Sequence, residues 1–259
     1  MIPPALYRRI EHVDTVTAAR RVLAATDSWF PRELDPSAVT TPELALAGLA
    51  RCRRLLEGML QMADSPDLCG GYARALFETW LWSVYLLLDP DTAYRRMEAT
   101  DRTLLAKMAK QLLPMLEDRH DPVADRLRKQ TEDAVAQLKE GDNELGVADV
   151  ANCVRSLLRR DGDPNAEYPV ETYAHLFRSE SYVSVHGGLG AMKQHMLASG
   201  AYTGRIEGAP SYRDPEDRRF ALCVGMVLVL AHRVARGLGI EHQSLDQFAA
   251  DWNQHLTGS

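Results

Sequence analysis

The chain has 259 residues, 46% of them hydrophobic and 25% charged, proportions that exclude collagen, coiled coil and wholesale disorder. A formal charge of −6 gives no broad basic footprint for nucleic acid. The length suits one large domain or two small ones, and no linker or internal repeat divides it, so residues 1–259 are read as a single domain.

Helical periodicity dominates from the start. A first amphipathic helix is expected over 12–27, followed by a loop at 31–41 with two prolines. Thr40, Thr41, Pro42 and Glu43 then combine hydroxyl caps, a first-turn proline and an acid against the helix dipole, which predicts a helix running to about Ala63. Ser65-Pro66-Asp67 opens a third helix, Leu68 to Leu88, that is apolar on most sides and therefore expected at the centre of the fold. Asp89-Pro90-Asp91 separates it from a helix over 91–117, and Asp121-Pro122 starts a charged helix to about Glu140. Further helices are expected over 147–160, from Pro169 towards Tyr182, to about Leu197 after Gly187-Gly188-Leu189-Gly190, from Asp214 to Leu238, and over 244–255. The stretch Ser181 to His186 alternates with period two but has no strand partner, so it is read as helix. Ser199 to Pro215 reads as a long loop rich in glycine and proline, and a lid is one use for it. The expected fold is all-α, a single bundle of about eight or nine helices.

The cysteines at 52, 69, 153 and 223 form no Cys-x-x-Cys pair and read as free thiols of a reducing compartment. The N-terminus lacks the apolar core of a secretory signal, and the longest apolar run, Ala221 to Ala231, is shorter than the roughly 18–20 residues a membrane span requires. A cytoplasmic protein without a membrane partner is expected.

Chemistry is sought first on the third helix. Arg74 and Glu78 are four residues apart on one face, among Ala73, Ala75, Leu76, Phe77, Trp80 and Leu81. In apolar surroundings such a couple is either an ion pair that fixes helix register or a carboxylate kept in a dry pocket for proton transfer, with the arginine tuning it or holding an anion. His186, flanked by glycines, is the second candidate, with Lys193 and the free amides of a restarting helix as an anion site. His232 lies in the apolar C-terminal helix, where a satisfied core histidine is the plainer reading; a cluster with Glu78 and His186 would serve proton transfer. Ser181 or Ser184 beside His186 lacks the G-x-S-x-G elbow of a hydrolase. Di-iron bundles use two Glu-x-x-His motifs, and the single such spacing, Glu117 to His120, sits beside Pro122, so no metal is expected. Without a P-loop or G-x-G-x-x-G, no cofactor is expected either.

The segment Gly71-Tyr72-Ala73-Arg74-Ala75-Leu76-Phe77-Glu78-Thr79-Trp80, followed by Leu88-Asp89-Pro90, resembles an uncharacterised bacterial helical family. In that family the arginine and glutamate are followed by a distant tyrosine–serine–histidine segment, which here is Tyr173 through Ser181 to His186. The resemblance covers about residues 45–200 and extends loosely to HEPN-type helical domains. Active HEPN ribonucleases carry arginine and histidine four to six residues apart on one helix. This chain departs from that pattern: seven residues separate Arg178 from His186, and Gly237 and Gly239 interrupt Arg236 to His242.

The leading expectation is an enclosed small-molecule pocket with metal-independent acid/base catalysis by Glu78, His186 and Arg74, lined by Tyr72, Trp82, Ser181, Tyr182, His232 and Lys193. The alternative is a HEPN-like defence or toxin–antitoxin protein acting on RNA or through a protein partner, for which a homodimer interface would form the cleft.

Overall fold

Proline and a capping side chain begin two of the helices where the sequence marks them. In the computed structural model, which describes residues 15–30, 40–62, 69–116, 118, 121–177 and 218–257, α1 (Thr15–Thr26) ends in a 3₁₀ turn, Asp27–Trp29. The second helix, α2 (Thr41–Gln61), is opened by a capping box in which the Thr40 amide donates to Glu43 Oε2 at 2.7 Å. α3 (Gly70–Leu88) and α4 (Pro90–Leu116) follow with only Asp89 between them. Asp121 then accepts from the amides of Val123 and Ala124, both at 3.0 Å, and starts α5 (Pro122–Ala136). α6 (Val147–Arg160) and the short α7 (Tyr168–Thr172) come next; α7 continues as a π turn, Tyr173–Phe177. α8 (Arg218–Leu238) and α9 (Gln243–Thr257) complete nine helices among the described residues, with no strand among them.

The expected all-α bundle is therefore what the chain forms, and α3 lies at its centre. It packs against α2, α4, α6, α8 and the π turn, burying Leu76, Phe77, Trp80 and Leu81. A fully buried side chain of this kind is worth roughly 1.5–3 kcal/mol, so α3 is the fold's main hydrophobic anchor. α8 is the second core helix, buried from Phe220 to Ala235 along most of its circumference against α1, α2 and α3. Its window Arg219–Leu238, mean hydropathy 1.6, is long and apolar enough to cross a membrane by length and composition, and 67% of that window is buried inside the fold. The uninterrupted run Ala221 to Ala231 understated this helix, because its few charges lie towards the ends.

Two polar devices fix the flanks. Arg53 of α2 is buried and reaches Thr26 Oγ1 at 2.8 Å and the Asp27 carboxylate, which locks the end of α1 onto α2. Arg96 of α4 donates to the Tyr85 hydroxyl at 2.9 Å and to Cys153 Sγ at 3.0 Å, joining α4 to α3 and α6. All four cysteines are free thiols. The hairpin α4–α5 carries an exposed apolar row, Leu105, Met108, Leu112 and Met115.

Candidate functional site

Two cavities hold Glu78, Trp82 and His232 among the sequence candidates, and they share no described lining residue. The first, about 430 Å³, is an open groove between α2, α3 and α4. Gly48 makes it: a Cβ there would stand 2.0 Å from Ser83 Oγ, so only glycine lets α2 come this close to α3. Leu44, Trp82, Leu86 and Met97 supply apolar walls, while Arg51, Glu78 and Asp101 bring charge.

Glu78 does not lie in the core. Its residue is exposed on the groove side of α3, because the apolar stripe of this helix turns Leu76, Phe77 and Trp80 inward and leaves position 78 facing out. Partial burial of the carboxyl against the groove walls still pushes its pKa above the usual carboxylate range; Arg74 and Arg51 pull it back, and Glu144 adds to the rise. Arg74, half-buried one turn earlier, acts on Glu78 through its charge and is not among the described groove residues. The expected dry couple at the heart of the bundle is thus replaced by an exposed carboxylate in the groove, with Arg74 acting on it from outside.

Trp82 lines the groove. Tyr72 does not: its ring packs over Gly58 of α2, where an added Cβ would meet Cε1 at 2.7 Å. Ser181, Tyr182, His186 and Lys193 lie outside the described residues, as do the segment 199–215 and the Glu117 to His120 spacing.

His232 belongs to the second cavity, a cleft of about 760 Å³ between the C-terminal half of α8, the end of α3, the loop after α6, and α9. The proposed grouping of His232 with Glu78 is therefore not formed. In this cleft His232 Nδ1 lies 3.4 Å from Asp246 Oδ1, and His242 Nε2 lies 3.7 Å from Asp246 Oδ2. The two imidazoles meet edge to face with ring centres 5.6 Å apart. Burial lowers the His232 pKa, opposed by Asp246 and assisted by His242. Arg233 is paired with Asp163 at 3.2 Å on the same wall.

Neither a protein-family model, nor a curated protein, nor a solved structure matches this chain. The site must therefore speak through its own chemistry. Sequence reasoning missed His242 and Asp246 because they sit ten and fourteen positions beyond His232, across a helix end. The usable signal was their own i, i+4 spacing at a helix start.

Proposed function

We propose that the chain binds a small organic molecule in the α2–α3–α4 groove and that Glu78 exchanges a proton with it. The observation that carries this reading is a carboxyl with a raised pKa in a cavity of small-molecule size, facing both apolar and cationic groups. A carboxyl whose pKa is raised holds its proton more tightly than a free one, the direction that proton exchange with a ligand uses. Arg51 supplies the complementary positive charge for an anionic head, and Trp82 with Leu44 and Met97 covers an apolar body. Burial raises the proton affinity of Glu78, and Arg74, outside the groove, partly opposes that rise.

The test is a ligand-observed NMR screen of small aromatic and aliphatic carboxylic acids and amines against the full chain. Hits are expected to weaken at least tenfold in Glu78→Gln or Arg51→Ala, both exposed positions whose helical circular dichroism should be unchanged. Hits that bind both variants as they bind the native chain, or a screen without hits, would sink the reading.

A further inference from the structure

The fold turns sharply between α8 and α9. Gly239, at φ +62°, takes the left-handed conformation that ends α8, and the Ile240 amide returns to the Ala235 carbonyl at 2.9 Å. This reversal brings His242 back beside His232, one helix having ended and the next begun. His242 starts α9: its carbonyl accepts from the amides of Leu245 and Asp246 at 2.9 and 3.0 Å. Asp246 follows one turn along, on the face that meets α8.

We propose that His232, His242 and Asp246 form a binding site for one divalent transition-metal ion of the zinc class. One donor atom from each of the three lies within 4.8 Å of the others. A tetrahedral ion with bonds of about 2.0–2.1 Å spaces its donors about 3.3 Å apart. The separations of 3.4 Å from His232 to Asp246 Oδ1 and 3.7 Å from His242 to Asp246 Oδ2 come near that spacing, each to its own carboxylate oxygen, so an ion would draw the donors inward from their present limit of 4.8 Å. Both separations are too long for strong charge-assisted hydrogen bonds, which close to about 2.7–2.9 Å. The three groups are close enough for a small inward movement to let them share one ion.

A second, independent feature is the ring of His242. Its Nδ1 lies 2.9 Å from the Ile240 carbonyl, and an oxygen there can only accept, so Nδ1 carries the proton. That leaves the Nε2 lone pair directed at the cluster. Fixing a metal-binding imidazole by giving its other N–H to a backbone carbonyl is the arrangement that metal sites use. His232 faces Asp246 through Nδ1, and its buried Nε2 has no hydrogen-bond partner among the described residues, so the outer hold seen at His242 is not repeated on this ring. Two imidazoles and one carboxylate are a donor set suited to zinc, cobalt or nickel and poorly suited to magnesium or calcium.

Three protein donors leave a fourth position vacant on a tetrahedral ion. His232 and Asp246 both line the 760 Å³ cleft, together with Arg233 and Arg236. The same cleft carries Asp161 and Asp163, the latter paired with Arg233, so a fourth position open to it faces charges of both signs and suits water. This site is separate from the Glu78 groove, and its failure would leave that reading untouched.

The experiment is isothermal titration of the untagged full chain with ZnCl2, repeated with CoCl2 while the visible spectrum is recorded. One equivalent of Zn2+ is expected, with an intense Co2+ spectrum of the four-coordinate type. His242→Ala and Asp246→Asn should each weaken binding by at least about 100-fold, since even the outer hydrogen-bond partners of metal ligands are worth roughly 10–100-fold. Asp246 is exposed, so Asp246→Asn keeps the test valid if His242→Ala folds poorly. The absence of stoichiometric binding, or binding that Asp246→Asn leaves unchanged, would overturn the site.

Discussion

Glu78 shows how one residue's position on a helix sets its proton affinity. Four residues after Arg74 on an apolar helix, it reads from sequence as half of a buried pair; in the fold it stands in a groove, exposed, with burial of its carboxyl outweighing the two nearby arginines. The direction of the shift has a stability consequence. A carboxyl whose folded pKa lies above its unfolded value favours folding below the unfolded pKa of about 4.3 and loses that contribution as pH rises through the folded value. Glu78→Gln removes the charge and with it this loss. Its melting temperature is expected to equal or exceed that of the native chain at pH 7, the two curves converging below about pH 4. A variant that melts lower at pH 7 would mean that the carboxylate is held by a favourable ion pair, with its pKa depressed. Residue identity and periodicity made the Arg74–Glu78 couple legible. They left its exposure illegible, because a helix apolar on most sides does not reveal which narrow sector stays uncovered until its neighbours are packed.

At the scale of elements, the contact between α2 and α3 depends on the pair Gly48 and Ser83. Ser83 is buried, and its hydroxyl donates back to the Thr79 carbonyl at 2.7 Å, so it has little freedom to move aside. An alanine at 48 would gain about 1 kcal/mol in helix propensity but would place its Cβ 2.0 Å from Ser83 Oγ and 3.2 Å from its Cβ. Overpacking of this kind costs roughly 1–3 kcal/mol, and the clash wins. Gly48→Ala is expected to destabilise by up to about 2 kcal/mol, and in a Ser83→Ala background the same change should become close to neutral. Urea denaturation of the four proteins gives the coupling; equal effects of Gly48→Ala in both backgrounds would show that the helices have room to shift. Helix starts were the most legible elements, since Thr40 with Glu43 and Asp121 with Pro122 are caps written in adjacent residues. The end of the charged helix was less so: α5 stops at Ala136, short of the expected Glu140, and the following residues turn back along α4. That return depends on partners some 40 positions away, Arg102 with Asp142 and Thr100 with Leu145, which local pattern does not encode.

Across the whole molecule, burial is uneven. The apolar content of α3 made its central place legible in the sequence; the depth of α8 was not read from its shorter apolar run, and the His232–His242–Asp246 cluster stayed hidden because a chain reversal assembles it. Outside that centre, the substantial contacts of α5 are with α4 alone among the described elements, and α5 buries only Ala124 and Thr131. Elements with few buried contacts open at lower free energy than the core they adjoin. Amides of α5 are therefore expected to exchange with solvent well before those of α3 and α8, which should exchange through global unfolding. The connection 137–146 restrains this opening, since Arg102 holds the Asp142 carboxylate through two hydrogen bonds of 2.7 and 2.9 Å and Lys107 pairs with Glu144. The Arg102 guanidinium, with the Lys139 amide, lowers the Asp142 pKa to about 2. Because that value lies below the roughly 3.9 of an unfolded aspartate, the restraint is complete above pH 4 and is lost as pH falls towards 2. Hydrogen exchange followed by mass spectrometry, corrected for the intrinsic pH dependence of exchange, should show α5 protection falling over that interval while α3 keeps its own. Asp142→Asn should show the reduced α5 protection already at pH 6. Equal protection of α5 and α3 in the native chain at pH 6 would mean that the hairpin opens only with the core.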